Sequence, residues 1–252
     1  MKLRYLGFCG IDDTVNITDL LKVSKIYPFV EWGILLRSDL EGSSRYPTKE
    51  WTDYFLKKRL ECNYSVNLAG HLCGNRVIEI LSGNYKYIEY LNLHKINRIQ
   101  VNATKINGVN LNDDNLSLYY LNLITAIRAF SSIEWIIQRN LETEDLCQLI
   151  EYNSYNQNNI SFLFDSSCGT GKFSIDFPKA TSKFICGYAG GISYDNINIV
   201  LKKISEFQTN DYVRENIWVD METSLRTKIE KNKSIFDLSK VNKCINKYIG
   251  II

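Results

Sequence analysis

The chain has 252 residues, 45% of them hydrophobic, enough to bury one large core, and its 30 Lys and Arg against 28 Asp and Glu leave a net charge of +2. No basic run marks a nucleic-acid surface and no apolar stretch nears the roughly 18 residues of a membrane-spanning helix, so neither nucleic acid nor membrane is expected as a partner. Seven cysteines without a Cys-x-x-Cys pair fit reduced thiols, and Met1-Lys2-Leu3-Arg4 leads into a strand-like segment with no apolar signal core, so a soluble, cytoplasmic protein is expected, monomer or homodimer.

Short apolar runs alternate with helical patterns along the whole chain. A first predicted strand, Arg4 to Cys9, precedes a helix over Ile17 to Ile26, and a second, Val30 to Leu36, precedes a helix over Thr48 to Leu60. A third, Ser65 to Ala69, is followed by helical pieces over Arg76 to Leu81 and near Tyr85 to Leu91. The fourth strand, Arg98 to Asn102, leads to a helix over Leu116 to Phe130, and the fifth, Ile133 to Gln138, to one over Thr143 to Tyr152. No helix follows the sixth, Ile160 to Asp165. The seventh, Phe184 to Ala189, leads to a helix over Tyr194 to Phe207, and the eighth, Ile217 to Met221, to a last helix over Leu238 to Ile249. Thr14, Asp113, Ser193 and Asp237 stand where helix caps belong, and Thr48 is followed by Glu50 in the first helical turn.

Eight strands with helical crossovers fit a closed barrel or an open doubly wound sheet. No Gly-x-Gly-x-x-Gly follows the first strand, and the polar residues of interest are spread over many strand ends. The predicted fold is therefore α/β, a single (β/α)8 TIM barrel over residues 1–252.

In such a barrel the strand ends point their chemistry into the mouth. Cys9, in Phe8-Cys9-Gly10, acts as a base if a cation stabilises its thiolate; otherwise it is a packed core thiol. Asp165 follows three large apolar residues, a partly desolvated position that suits a general acid, or else it caps the loop after it. That loop, Ser166 to Phe173, lacks the Walker pattern and reads as a hinged flap on Gly169 and Gly171. Arg45 can clamp a carboxylate or phosphate, with Arg37 as its rival. Gly190 and Gly191, before a helix starting near Tyr194, and Thr223 and Ser224 after the eighth strand form two candidate phosphate loops. His71 after strand three, and Gln138, Arg139 and Asn140 at the end of strand five, add polar groups at the same face. His71 is far from His94, and His71-Leu72-Cys73 shows no further ligand, so neither metal nor cofactor is expected.

In order, Phe8-Cys9-Gly10, Ser44-Arg45-Tyr46, Phe164-Asp165 with Gly169-Thr170-Gly171-Lys172, Ala189-Gly190-Gly191-Ile192 and Val219-Asp220 resemble phosphoribosylanthranilate isomerase, from first strand to last helix. The resemblance implies a (β/α)8 barrel and a cofactor-free Amadori rearrangement, in which an aminoaldose phosphate of tryptophan biosynthesis becomes an aminoketose phosphate. It casts Asp165 as the acid, Cys9 as the base and Arg45 as the anchor of the anthranilate end.

Departures are clear. Ile99-Gln100-Val101-Asn102-Ala103 lacks the family's histidine at strand four, leaving Gln100 and Asn102 as substrate contacts, and Glu222-Thr223-Ser224 puts a carboxylate where Ser-Ser-Gly would receive phosphate. Arg226 is the nearby cation that would offset it. The expected partner is a small phosphorylated sugar-type substrate. The alternatives are a barrel enzyme with the same acid and base on a different phosphorylated or anionic sugar derivative, and a non-catalytic binding relative.

Overall fold

The computed structural model describes residues 2–154, 157–174, 177–179, 184–207, 216–231 and 233–251. Eight parallel strands close in sequence order into a barrel: β1 (Tyr5–Cys9), β2 (Val30–Leu36), β3 (Asn67–Leu72), β4 (Arg98–Val101), β5 (Glu134–Arg139), β6 (Ile160–Asp165), β7 (Ile185–Ala189) and β8 (Trp218–Met221), which pairs back onto β1. Outside them run α1 (Ile17–Ile26), α2 (Lys49–Leu60), α3 (Asn75–Leu81), α4 (Lys86–Leu93), α5 (Asp113–Ala129), α6 (Glu144–Asn153), α7 (Ile197–Phe207) and α8 (Leu238–Ile249). The fold is a (β/α)8 barrel. No helix among the described residues is long and apolar enough to cross a membrane.

Alternation along the strands divides the core. Residues such as Phe8, Trp32, Ile99, Trp135 and Val219 face the helices and belong to the main apolar cluster. The intervening positions face inward. There Arg98, only 2% exposed, is held by Glu31 at 2.5 Å and Glu134 at 2.9 Å, and its guanidinium lies over the rings of Tyr5 and Trp218. Trp218 fits because Gly187 beside it has no side chain; a Cβ there would lie 2.1 Å from the indole.

Three sequence expectations shift. Strand three extends to Leu72, pairing His71 with Gln100 of β4, so His71 stands within the strand rather than after it. Helix α1 is capped by Asn16, whose side chain accepts from Thr18 N, while Thr14 bonds Asp12 instead. Helix α5 starts earlier, with Asn112 and Asn115 in a reciprocal capping box.

Between β8 and α8 lies an antiparallel hairpin that the sequence reading does not contain, β9 (Arg226–Glu230) and β10 (Lys233–Phe236). Its root is Arg226, which bonds Asp12 at 2.6 Å and also donates to the Gly10 carbonyl at 2.8 Å.

Replacing Arg98 by Ala would leave the carboxyl groups of Glu31 and Glu134 without their main partner inside the barrel. The expected loss is about 3–5 kcal/mol, read as a shift of the urea-unfolding midpoint; a loss below about 1 kcal/mol would contradict this account of the barrel base.

Candidate functional site

At the C-terminal mouth of the barrel lies a cavity of ≈ 370 Å³. Its floor is made possible by two further absent side chains. A Cβ on Gly33 would lie 2.9 Å from Cys9 Sγ, and a Cβ on Gly7 would lie 2.7 Å from Asp220 Oδ1. These are register neighbours, Gly33 opposite Cys9 and Gly7 opposite Asp220, so the glycines of β1 and β2 vacate the room that the thiol and carboxyl occupy. His71 of β3 completes the group. Its Nδ1 lies 3.4 Å from Cys9 Sγ and 4.0 Å from Asp220 Oδ2.

Burial governs how these three titrate. It pushes the Cys9 thiol well above its ordinary value, with Asp220 and Glu222 adding to the effect. It pushes His71 down to about 3, helped by the charge of Arg98 below. It also raises Asp220 well above the usual carboxylate range, with Glu31 and Glu222 contributing. A neutral imidazole 4.0 Å from a carboxyl is not an ion pair, and burial disfavours the Cys9 thiolate that the expected role as base calls for.

Across the cavity stands Asp165, 5% exposed, whose two oxygens accept four hydrogen bonds. Oδ1 receives Ser167 N at 3.0 Å and Ser167 Oγ at 2.6 Å; Oδ2 receives Gln138 Nε2 at 2.7 Å and Gly169 N at 2.9 Å. The residue therefore grips its own loop as well as facing the cavity. Gly169 (φ 82°) and Gly171 (φ 70°) let that loop turn, and a Cβ on Gly191 would lie 2.4 Å from Phe173 N. So the Gly190-Gly191 turn receives the backbone of the loop after β6. Ser224 Oγ donates to the Ile192 carbonyl, tying the turns after β7 and β8 together. Helix α7 begins at Ile197, not near Tyr194, because Ser193 and Asn196 close a turn of their own.

The rim cation is already engaged. Arg45, in the left-handed region at φ 70°, donates its backbone N–H to Asp12 and its guanidinium to Glu222 Oε1 at 2.5 Å. Arg226, the expected counter-charge to Glu222, forms its ion pair with Asp12, and its charge still favours the ionised Glu222 carboxylate. Among the described residues the cavity walls thus carry three acidic side chains, Asp165, Asp220 and Glu222, against the guanidinium of Arg45.

Of the residues expected from sequence, Arg45, His71, Gln100, Asn102, Gln138, Asp165, Gly169, Gly171, Gly190, Gly191, Thr223 and Ser224 all line this one cavity. Cys9 sits just beneath it, covered by Leu35, Tyr46, His71 and Cys73, which line the cavity. Arg139 does not belong: it falls on the helix-facing side of β5, over Phe162 and Phe164, and pairs with Glu144 and Glu151. The rival Arg37 pairs with Asp39 outside the mouth. Sequence reading missed Asp220 as a site residue, because an aspartate inside a strand looks like part of a motif until register sets it beside Gly7. It also did not assemble the mixed Cys9, His71 and Asp220 group, whose ligand-type atoms all lie within 4.8 Å of one another.

No protein-family model matches the chain, and no curated protein matches it.

Replacing Asp165 by Ala removes all four of these bonds at once. Hydrogen exchange at the Ser167 and Gly169 amides is expected to accelerate at least about tenfold, the equivalent of roughly 1.4 kcal/mol of lost local protection. Unchanged exchange would show that the loop is held by other contacts.

Proposed function

We propose that the barrel is an isomerase-type enzyme that moves a proton between neighbouring atoms of a small carbonyl compound of sugar type. The observation that supports this best is the placement of His71, with Cys9 behind it, on one wall of the mouth cavity and Asp165, with Gln138, on the other. Acid–base isomerisation needs two proton-handling groups on opposite sides of the reacting atoms, in a space that excludes bulk water. The imidazole is the nitrogen base that reaches the cavity; burial and Arg98 weaken it as a proton acceptor, and an imidazolium formed there in the reaction would lie 4.0 Å from Asp220. Gln138 lines the cavity, and its buried Oε1 has no hydrogen-bond partner among the described residues, which leaves it able to accept from a donor such as a sugar hydroxyl.

The narrower reading is the Amadori rearrangement of an aminoaldose phosphate, the activity of the phosphoribosylanthranilate isomerase family that the motifs resemble. It is supported by Arg45 and Asp165 lining one cavity with the two glycine turns, and by Cys9 at its floor. The second reading, another sugar derivative with little or no negative charge, is favoured by one observation. Arg45 is spent on Glu222, and the remaining charged walls are acidic.

Proton exchange at the carbon next to the carbonyl, followed by NMR in D2O, tests the proposal over phosphoribosylanthranilate, aldoses, amino sugars and their phosphates. Exchange on at least one substrate is expected, falling about 10²–10⁴-fold in His71→Ala and in Asp165→Ala. A folded protein that exchanges none of them would overturn the isomerase reading, and preference for an uncharged sugar over its phosphate would decide between the two forms.

A further inference from the structure

The Cys9, His71 and Asp220 group holds more than acid–base chemistry requires. In a hydrolytic relay the imidazole lies between acid and nucleophile and uses a different nitrogen for each. Here Cys9 Sγ and Asp220 Oδ2 both approach the same nitrogen, Nδ1 of His71, at 3.4 Å and 4.0 Å. Three donor atoms of different type, within 4.8 Å of one another, converge on one point instead of forming a line. From the bond lengths of a tetrahedral zinc centre, neighbouring ligand atoms are about 3.3–3.6 Å apart; Cys9 Sγ and His71 Nδ1 already stand at that spacing, His71 Nδ1 and Asp220 Oδ2 need to close by roughly half an ångström, and a pair at the 4.8 Å limit by about 1 Å.

We propose that Cys9, His71 and Asp220 form a mononuclear metal site for a zinc-type dication, with its remaining position open to the mouth cavity. A thiolate, an imidazole and a carboxylate are the mixed donor set that such an ion accepts, and three protein ligands with a vacant fourth place are the pattern of a working rather than a structural zinc. The ligands come from β3 and from strands bordered by Gly7 and Gly33, whose missing side chains leave the thiol and the carboxyl their places. His71 and Asp220 line the cavity, so the open position faces a bound small molecule. The surrounding charge also fits: the acidic walls outnumber Arg45, and a dication redresses the balance.

Binding is a simple exchange. The Cys9 thiol releases its proton to solvent and its sulfur lone pair bonds the ion; His71 binds through the Nδ1 lone pair with its proton on Nε2; Asp220 likewise gives up to solvent the proton that burial favours on it and binds as carboxylate; no electron is transferred. An ion so placed can polarise a carbonyl oxygen. The site goes beyond the isomerase reading and holds whether or not the barrel isomerises a sugar. With the ion bound, Cys9 and His71 are ligands, and Asp165 and Glu222 remain to handle protons.

The test uses the full chain, stripped with a chelator and titrated with cobalt(II). One equivalent is expected to bind with a thiolate-to-cobalt charge-transfer band and intense tetrahedral visible bands, both removed by added zinc. Cys9→Ser should abolish the charge-transfer band, and the nearly isosteric Asp220→Asn should weaken binding by more than the roughly 10–100-fold typical of an outer ligand-supporting group. Cys62→Ser, which removes a partly exposed thiol outside the group, should change neither. If Cys9→Ser does not fold, Asp220→Asn carries the test alone. No charge-transfer band, or a band lost in Cys62→Ser but kept in Cys9→Ser, would overturn the metal site. Proton exchange on a sugar that persists in the stripped protein would uphold the isomerase reading independently of the cobalt result.

Discussion

The mouth of this barrel depends on the charged plug at its base. Arg98, almost wholly buried, is clamped by Glu31 and Glu134, and Arg4 reaches Glu134 from outside at 2.8 Å. An isolated buried guanidinium would be intolerable; between two carboxyls and two aromatic rings it is held firmly in its charged form. The plug also acts upward. Its positive charge opposes protonation of His71 and favours ionisation of Asp220, so the layer that fills the barrel helps set the state of the groups above it.

Above the plug, space is the second constraint. A small barrel is normally packed by its own side chains. Inward-facing Gly7, Gly33 and Gly187 break that filling, and each absence is taken up by a neighbour: Asp220, Cys9 and Trp218. The tryptophan closes the gap over the plug, whereas the thiol and the carboxyl gather around His71. Polar groups are thus admitted to the interior where backbone alone borders them.

Much of this could be read from the chain. Strand and helix alternation gave the barrel because each βα unit buries one face of its strand on its helix, and strand-end residues fell into one cavity because barrel geometry gathers strand ends. Boundaries moved where pairing overrode local pattern, as at Gly70 and His71, which β4 draws into strand three. Arg139 was misplaced by parity: one residue beyond the inward Gln138, it faces the helices. The hairpin of β9 and β10 is hidden in the sequence because its strands are short and only its ends, Arg226 and Phe236, are buried. Glu222 stands out in the sequence as a departure, but its partner does not, since the left-handed turn that brings Arg45 to it has no signature in a non-glycine residue.

The turns after β7 and β8 carry the same lesson about function. Their sequence resembles a phosphate cradle, yet the Gly191 turn seats the backbone of Phe173 and Ser224 ties itself to Ile192, so their form is explained by loop packing before any ligand is considered. The chemistry that stands out lies deeper, where Cys9, His71 and Asp220 converge. Anomalous diffraction at the zinc edge, from crystals of the protein grown with zinc, tests that centre most directly. The account predicts a single strong peak about 2.0–2.3 Å from Cys9 Sγ, His71 Nδ1 and Asp220 Oδ2, beside the open cavity; a peak elsewhere, or none with these three side chains ordered, would contradict it.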